Sequence, residues 1–221
     1  MSDFKPVIGL AMERCIPYAD DVFWSLLKLA QQGYPFIQAQ TGPIDVTCNR
    51  FARHLLATDY THLIILGIDH DHPPGLVRKF AAHVEKHLDH LVIGALNFRR
   101  GQPYDPLAFI HDNGNIYSVA SWEPGEIMRV DSMGTNEMCI HRSVFEILHP
   151  PWFYRDYSVN EDGLSEDLVF CRALRQAGIS IWLDTGITND HMINGRVNEA
   201  IFRAYLMQHP ETYEEIDDAR S

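Results

Sequence analysis

The chain reads as an α/β protein: a mainly parallel sheet flanked by helices, joined to a smaller antiparallel sheet. Three observations predict this. Short apolar runs alternate with helix-period segments through the first half, in the order β-α-β-α-β-α-β. Residues 97–141 then change character, with aromatics, glycines and the pair Asn113-Gly114, a strong hairpin signal. Finally, 221 residues with 46% apolar content are enough for one substantial core. Residues 1–210 are expected to form one domain and 211–221 an acidic tail.

The elements follow in order. Pro6 to Leu10 is a short apolar strand. Asp20 to Gln32 carries Val22, Phe23, Leu26, Leu27 and Ala30 at helical spacing, with Gly33 as the stop. Pro35 to Ala39 is a second strand. Val46 to Ala57 has its apolar residues on one helical face. Leu63 to Ile68 is a buried central strand. After His72-Pro73-Pro74-Gly75, Leu76 to Leu88 is a helix opened by proline. Leu91 to Leu96 is a further strand. Antiparallel strands are predicted around Leu107–Ile110, Tyr117–Ser121, Met128–Ser132 and Glu137–Ile140. Helices follow at Arg142–Leu148, Leu164–Ala177 and Val197–Gln208, with a strand at Ile179–Asp184 between the last two.

Bulk properties exclude some classes. A net charge of −12 disfavours non-specific nucleic-acid binding, which needs clustered Lys and Arg. No apolar run approaches the roughly 20 residues of a membrane span. The N-terminus has no basic and apolar signal-peptide pattern. Cys15, Cys48, Cys139 and Cys171 are scattered and form no Cys-x-x-Cys pair. They read as reduced thiols of a cytoplasmic protein.

Four constellations could carry chemistry. Asp69-His70-Asp71 ends the central apolar run. Two carboxylates held so close repel unless a positive charge lies between them, and a divalent cation is the simplest solution. A cation at the carboxyl end of a parallel sheet is placed to meet a phosphate. The plainer reading is that the pair caps the next turn. His70 and His72 also suggest a zinc hydrolase, but Pro73-Pro74-Gly75 follows where an Asp-His would be needed. Ser165-Glu166-Asp167, preceded by Asp162, starts a helix. One carboxylate there could be a general base, although acids are common at helix N-termini for the dipole alone. His191 follows the last strand by a short loop. It could be merely solvated or could be a metal ligand, in which case mixed oxygen and nitrogen ligation favours Mn²⁺ over Mg²⁺. Arg99 and Arg100, after a strand, could contact a diphosphate or lie on a solvated hairpin edge.

Together, from about Val7 to His191, these residues resemble the GT-A glycosyltransferases of the family-2 type, especially compact bacterial and phage-like members. Ile64 to Pro74 resembles the family's strand and Asp-x-Asp motif. Gly94-Ala-Leu-Asn-Phe-Arg-Arg100 is similar to the segment after the next strand. Val130-Asp-Ser-Met-Gly-Thr135 and His141-Arg-Ser-Val-Phe145 resemble the loop and hairpin before the acceptor site. Ser165-Glu-Asp167 resembles the Glu-Asp helix start, and Trp182-Leu-Asp184 leading to His191 resembles the closing strand and metal histidine. The chain departs from the pattern at Cys48-Asn49, where Arg-Asn is usual, with Arg50 and Arg53 close by. It departs again at Asn136-Glu137, where a glycine and an apolar residue are usual.

The resemblance implies a GT-A catalytic domain with a nucleotide-diphosphate sugar donor, most commonly a UDP-sugar, and an acceptor of unknown identity. It implies Mn²⁺ or Mg²⁺ bound by Asp71 and His191, with Asp69 on the metal or the ribose. Asn49, Arg50, Arg99 and Arg100 would contact the donor. Asp167 would be the base of an inverting enzyme, with Glu166 next in line. Trp152, Phe153 and Tyr154 would be a wall against sugar faces or plain core. Two rivals stand beside this reading. A sugar-nucleotide nucleotidyltransferase normally has a glycine-rich loop near its N-terminus, and Ile8-Gly9-Leu10-Ala11-Met12 has one glycine. The other is a non-catalytic nucleotide-sugar- or carbohydrate-binding protein.

Overall fold

A computed structural model describes residues 3–11, 19–38, 42–158, 163–193 and 195–211. Cys15, Asp162 and the tail beyond Glu211 lie outside them. The elements are β1 (Pro6–Ala11), α1 (Ala19–Ala30), β2 (Phe36–Gln38), α2 (Ile44–Leu56), β3 (His62–Gly67), β4 (His70–Asp71), α3 (Leu76–Lys86) and β5 (Val92–Leu96). The second half continues with β6 (Ala108–Asp112), β7 (Asn115–Ser118), β8 (Ile127–Val130), β9 (Ser132–Met133), β10 (Met138–His141), α4 (Arg142–Ile147) and α5 (Glu166–Gln176). It closes with β11 (Ile181–Thr188), β12 (Asp190–Ile193), β13 (Gly195–Val197) and α6 (Glu199–Gln208).

The central sheet runs β2-β1-β3-β10-β5-β11-β8. Strands β2, β1, β3, β5 and β11 share one direction, and β10 and β8 oppose it. The mostly parallel sheet is therefore present. Two strand placements differ from the sequence expectation: β8 joins this sheet antiparallel to β11 at its edge, and β10 joins it antiparallel between β3 and β5. Its residues Met138, Cys139 and Ile140 are fully buried, as a strand with helices on both sides must be. Small sheets complete the architecture, β7-β6-β9 and β13-β12-β4. The β6–β7 hairpin turns at Asn113 and Gly114, with φ of 48° and 85°. Positive φ at both central residues is the reason that pair signals a hairpin.

The period of two along β3 divides the core. Leu63 and Ile65 pack with Phe51 and Leu55 of α2 on one face of the sheet. Ile64 and Leu66 pack with Leu29 of α1 and Phe80 of α3 on the other. Each fully buried chain of this kind contributes roughly 1.5–3 kcal/mol. Phe153 stacks on Phe170 of α5 at 4.4 Å, and the Trp152 indole donates to the Phe145 and Leu148 carbonyls. Those two residues are core, and only Tyr154 of the three is exposed. Arg142 is also structural: its guanidinium donates to the Thr58 and Tyr60 carbonyls just beyond α2. Cys48, Cys139 and Cys171 are free and buried. No helix among the described residues is long and apolar enough to cross a membrane.

His62 opens β3 directly opposite His141 of β10, with ring centroids 4.9 Å apart and the Phe4 ring at 4.7 Å. Burial first, then the His141 ring, pushes His62 down to about 3. The unfolded chain therefore binds this proton before the folded one does. The neutral ring's contribution to stability is complete above about pH 6.5 and is lost as pH falls toward 3. Between pH 7 and pH 5 this amounts to about 2 kcal/mol. Urea unfolding at both pH values should show His62→Asn losing less stability across that interval than the wild type. An unchanged difference would mean that His62 does not set the acid sensitivity.

Candidate active site

The cleft is a cavity of about 480 Å³ at the carboxyl ends of β1 and β3, reaching Gly134, Thr135 and the start of α5. Asp69, His70, Arg100, Glu166 and Asp167 all line it. The acidic turn after β3 and the Glu-Asp helix start are 97 residues apart in the chain, yet they border one cavity.

His191 is brought beside Asp69 by pairing rather than by a loop. It lies on β12, which runs antiparallel to β4 with His191 opposite His70 and Asp190 opposite Asp71. The Met192 amide donates to the Asp69 carbonyl at 2.8 Å and locks the register. The His70 and His191 rings stack at 3.9 Å. Among the described residues, ligand atoms of Asp69, His70 and His191 form a group within 4.8 Å of one another. Asp71 is not in it, nor does it line the cleft. Side chains alternate along a strand, so the residue after His70 faces the other way.

The proton inventory of this group matters. His191 Nδ1 donates to the Phe98 carbonyl at 2.6 Å, because a carbonyl can only accept. In the neutral ring Nε2 then carries a lone pair, and it stands 3.2 Å from Asp69 Oδ2, another acceptor. Only a proton or a cation between them relieves that opposition. Asp69 Oδ1 accepts from His70 Nδ1 at 2.9 Å. That leaves His70 Nε2 as a buried lone pair with no partner. Burial tends to raise the Asp69 carboxyl, but the hydrogen bonds from His191 and His70 outweigh it and hold it far below the usual carboxylate range. Burial pushes His70 down to about 4, despite its bond to Asp69. One carboxylate and two imidazoles fit a divalent transition ion such as Mn²⁺ better than Mg²⁺, which prefers oxygen.

The floor of the cleft is built close. An added Cβ at Gly67 would lie 2.9 Å from both Asp69 Oδ1 and Asn136 Oδ1. The Gly67 amide donates to Asn136 Oδ1, and the Gly67 carbonyl accepts from His72 Nε2 at 2.7 Å. His72 Nδ1 pairs with Glu137 at 2.6 Å, both side chains fully buried. The departures at Asn136 and Glu137 are thus the props beneath the acidic turn. At the far wall, Asp167 Oδ1 accepts from the Ser165 hydroxyl and, at 2.8 Å, from the Leu168 amide. Burial, helped by Asp167 and Asp45, raises Glu166.

The arginines and Asn49 separate. Arg100 reaches Asp69 Oδ2 at 3.4 Å. Arg99 instead pairs with buried Asp105 through Nε at 2.7 Å and Nη2 at 3.2 Å. Asn49 is buried and spends its amide on the Asp45 and Phe153 carbonyls and the Trp152 amide. It ties α2 to the core and does not line the cleft. Arg50 is exposed on α2, also away from the lining. Sequence reasoning raised His70 only for the zinc-hydrolase alternative, and it missed Thr47. The signal for His70 was its place between the two acids. Thr47 lines the cleft with a buried, unpartnered hydroxyl, and nothing in its helical context marked it.

No protein-family model matches the chain, and no curated protein matches it. Solved structures do. A197 from STIV aligns with a TM-score of 0.62 at 13% identity, over 86% of this chain and 86% of that one. A UDP-glucose pyrophosphorylase complexed with UDP-glucose aligns with a TM-score of 0.53 at 9% identity, over 94% of this chain and 99% of that one. The chain shares with these two structures a mixed α/β fold built on a mostly parallel sheet.

Proposed function

We propose that residues 1–210 form a GT-A catalytic domain of the family-2 type. It would move a sugar from a nucleotide-diphosphate donor, a UDP-sugar first among candidates, to an acceptor hydroxyl with inversion. The observation that carries this is one cleft lined by Asp69 and His70 at one wall, with His191 behind them, and by Glu166-Asp167 at the other. The complex of UDP-glucose pyrophosphorylase with UDP-glucose supports a nucleotide sugar as ligand for this architecture.

The close approach of His191 Nε2 to Asp69 Oδ2, with the unpartnered His70 Nε2 beside them, makes the site fit a divalent cation. Held by those three residues, it would supply Lewis-acid stabilisation of the diphosphate as negative charge builds there. Asp167 would take the proton of the acceptor hydroxyl. The acceptor oxygen then bonds the anomeric carbon, and the bond to the diphosphate breaks with its electron pair leaving on the nucleotide. Arg100, beside Asp69, would meet the phosphates.

A nucleotidyltransferase is the second reading, favoured by the same pyrophosphorylase likeness over 94% of the chain. One panel separates the readings. Nucleoside diphosphates and nucleotide sugars are added with and without Mn²⁺, melting temperature is read, and products are followed by ³¹P NMR. The expected result is a Mn²⁺-dependent rise in melting temperature with UDP-sugars, since a ligand of the native state must stabilise it. Release of UDP supports transfer. Release of pyrophosphate from a nucleoside triphosphate and a sugar phosphate supports the second reading. Binding with neither product indicates a non-catalytic protein.

A further inference from the structure

A second histidine cluster lies on the other face of the sheet. His83 is on α3, His87 caps that helix, and His90 follows in the next turn. The spacing is His-x₃-His-x₂-His, and the turn that follows α3 brings the three rings together. The ring centroids of His83 and His87 are 5.1 Å apart, and those of His87 and His90 are 4.6 Å apart with near-parallel planes. His90 in turn stacks on Trp182 of β11 at 3.8 Å.

Partners fix the protons. His83 Nδ1 lies 2.7 Å from Asp184 Oδ2, so the carboxylate accepts from it. Asp184 is itself held by the Gly186 amide on its other oxygen, at 2.9 Å. The remaining His83 nitrogen, Nε2, faces His90 Nδ1 at 2.9 Å. A histidine oriented by a carboxylate on one nitrogen, with the other aimed at a second imidazole, is the arrangement that supports transition-metal ligation. Two imidazole nitrogens on one ion are about 2.9 Å apart in adjacent octahedral positions and about 3.3 Å apart in tetrahedral ones, from metal–nitrogen bonds of about 2.0–2.1 Å. The observed spacing is already in that range. His87 is half-buried at the helix end and stacked on His90, so its ring must turn for a nitrogen to join the pair. A cavity of about 260 Å³ opens beside the cluster, lined by His83, His87 and Asp184. Of the two lysines on its wall, Lys79 is tied to the Gly186 carbonyl at 2.6 Å.

We propose that His83, His87 and His90, with Asp184 orienting His83, form a second site for a first-row divalent transition ion of the Zn²⁺, Co²⁺ or Ni²⁺ type. Imidazole ligands suit these ions over Mg²⁺ or Ca²⁺. The ion displaces the proton shared between His83 and His90, and His87 supplies the third nitrogen. The site is independent of the cleft's chemistry.

The test titrates Co²⁺ into the Asp69→Asn protein, whose cleft group is broken, by calorimetry and visible absorption. One equivalent is expected to bind, with quenching of Trp182 fluorescence that Trp182→Phe removes. His87→Gln, at the half-buried helix end, and Asp184→Asn are each expected to weaken Co²⁺ binding by about 10–100-fold. Far-UV circular dichroism checks that each variant stays folded. No binding to the Asp69→Asn protein overturns the proposal. So does full-affinity binding by His87→Gln and Asp184→Asn together.

Discussion

Asp69→Asn is expected to abolish Mn²⁺ binding in the cleft and, with it, metal-dependent turnover. Asp69 meets His70 at 2.9 Å and His191 at 3.2 Å, and it also meets Arg100 at 3.4 Å. An amide in its place removes the negative charge the cation needs and offers one neutral oxygen where a carboxylate stood. The loss in affinity should exceed the roughly 100-fold upper range for removing a mere supporting contact. Asp71→Asn is the control. Its side chain lies outside the group, so most of the affinity should remain. Calorimetry with Mn²⁺ on both variants reads the difference directly. Mn²⁺ binding retained by the Asp69 variant, or lost by the Asp71 variant, would reverse the assignment and return the metal to the second acid of the motif. Undiminished turnover in EDTA would remove the metal from the mechanism.

Asp167→Asn is expected to keep donor binding and lose transfer by about 10²–10⁴-fold, the usual contribution of a positioned base. Its Oδ1 is occupied by the Ser165 hydroxyl and the Leu168 amide, which fixes the carboxylate without consuming its second oxygen. The amide is nearly isosteric and sits at the same helix start, so the fold and the donor cleft should survive. Donor affinity by calorimetry and single-turnover transfer separate the two effects. An unchanged transfer rate would falsify Asp167 as the base, and Glu166, on the same cleft wall, would be tested next by Glu166→Gln.

Much of this molecule was legible along the chain. The apolar run before Asp69, the helix face of α2 and the Asn113-Gly114 turn are local patterns, and each became the element its period implied. The two acidic motifs were visible as well, because helix starts and strand ends are marked by nearby residues. Asn49 and Arg99 read as donor contacts in a sequence that shows no partner for either. Asp45, Phe153 and Trp152 claim the first, and Asp105 claims the second.

Periodicity carries no information about which distant strand becomes a neighbour. That part the tertiary structure decided, through hydrogen-bonded register. The insertion of β10 between β3 and β5 depends on backbone groups more than forty residues apart in sequence. The pairing of β12 with β4 is what sets His191 opposite His70 and beside Asp69, and what turns Asp71 away. A strand's residue types determine that it will be buried, and only the match of its edge to another edge determines which side chains meet across it.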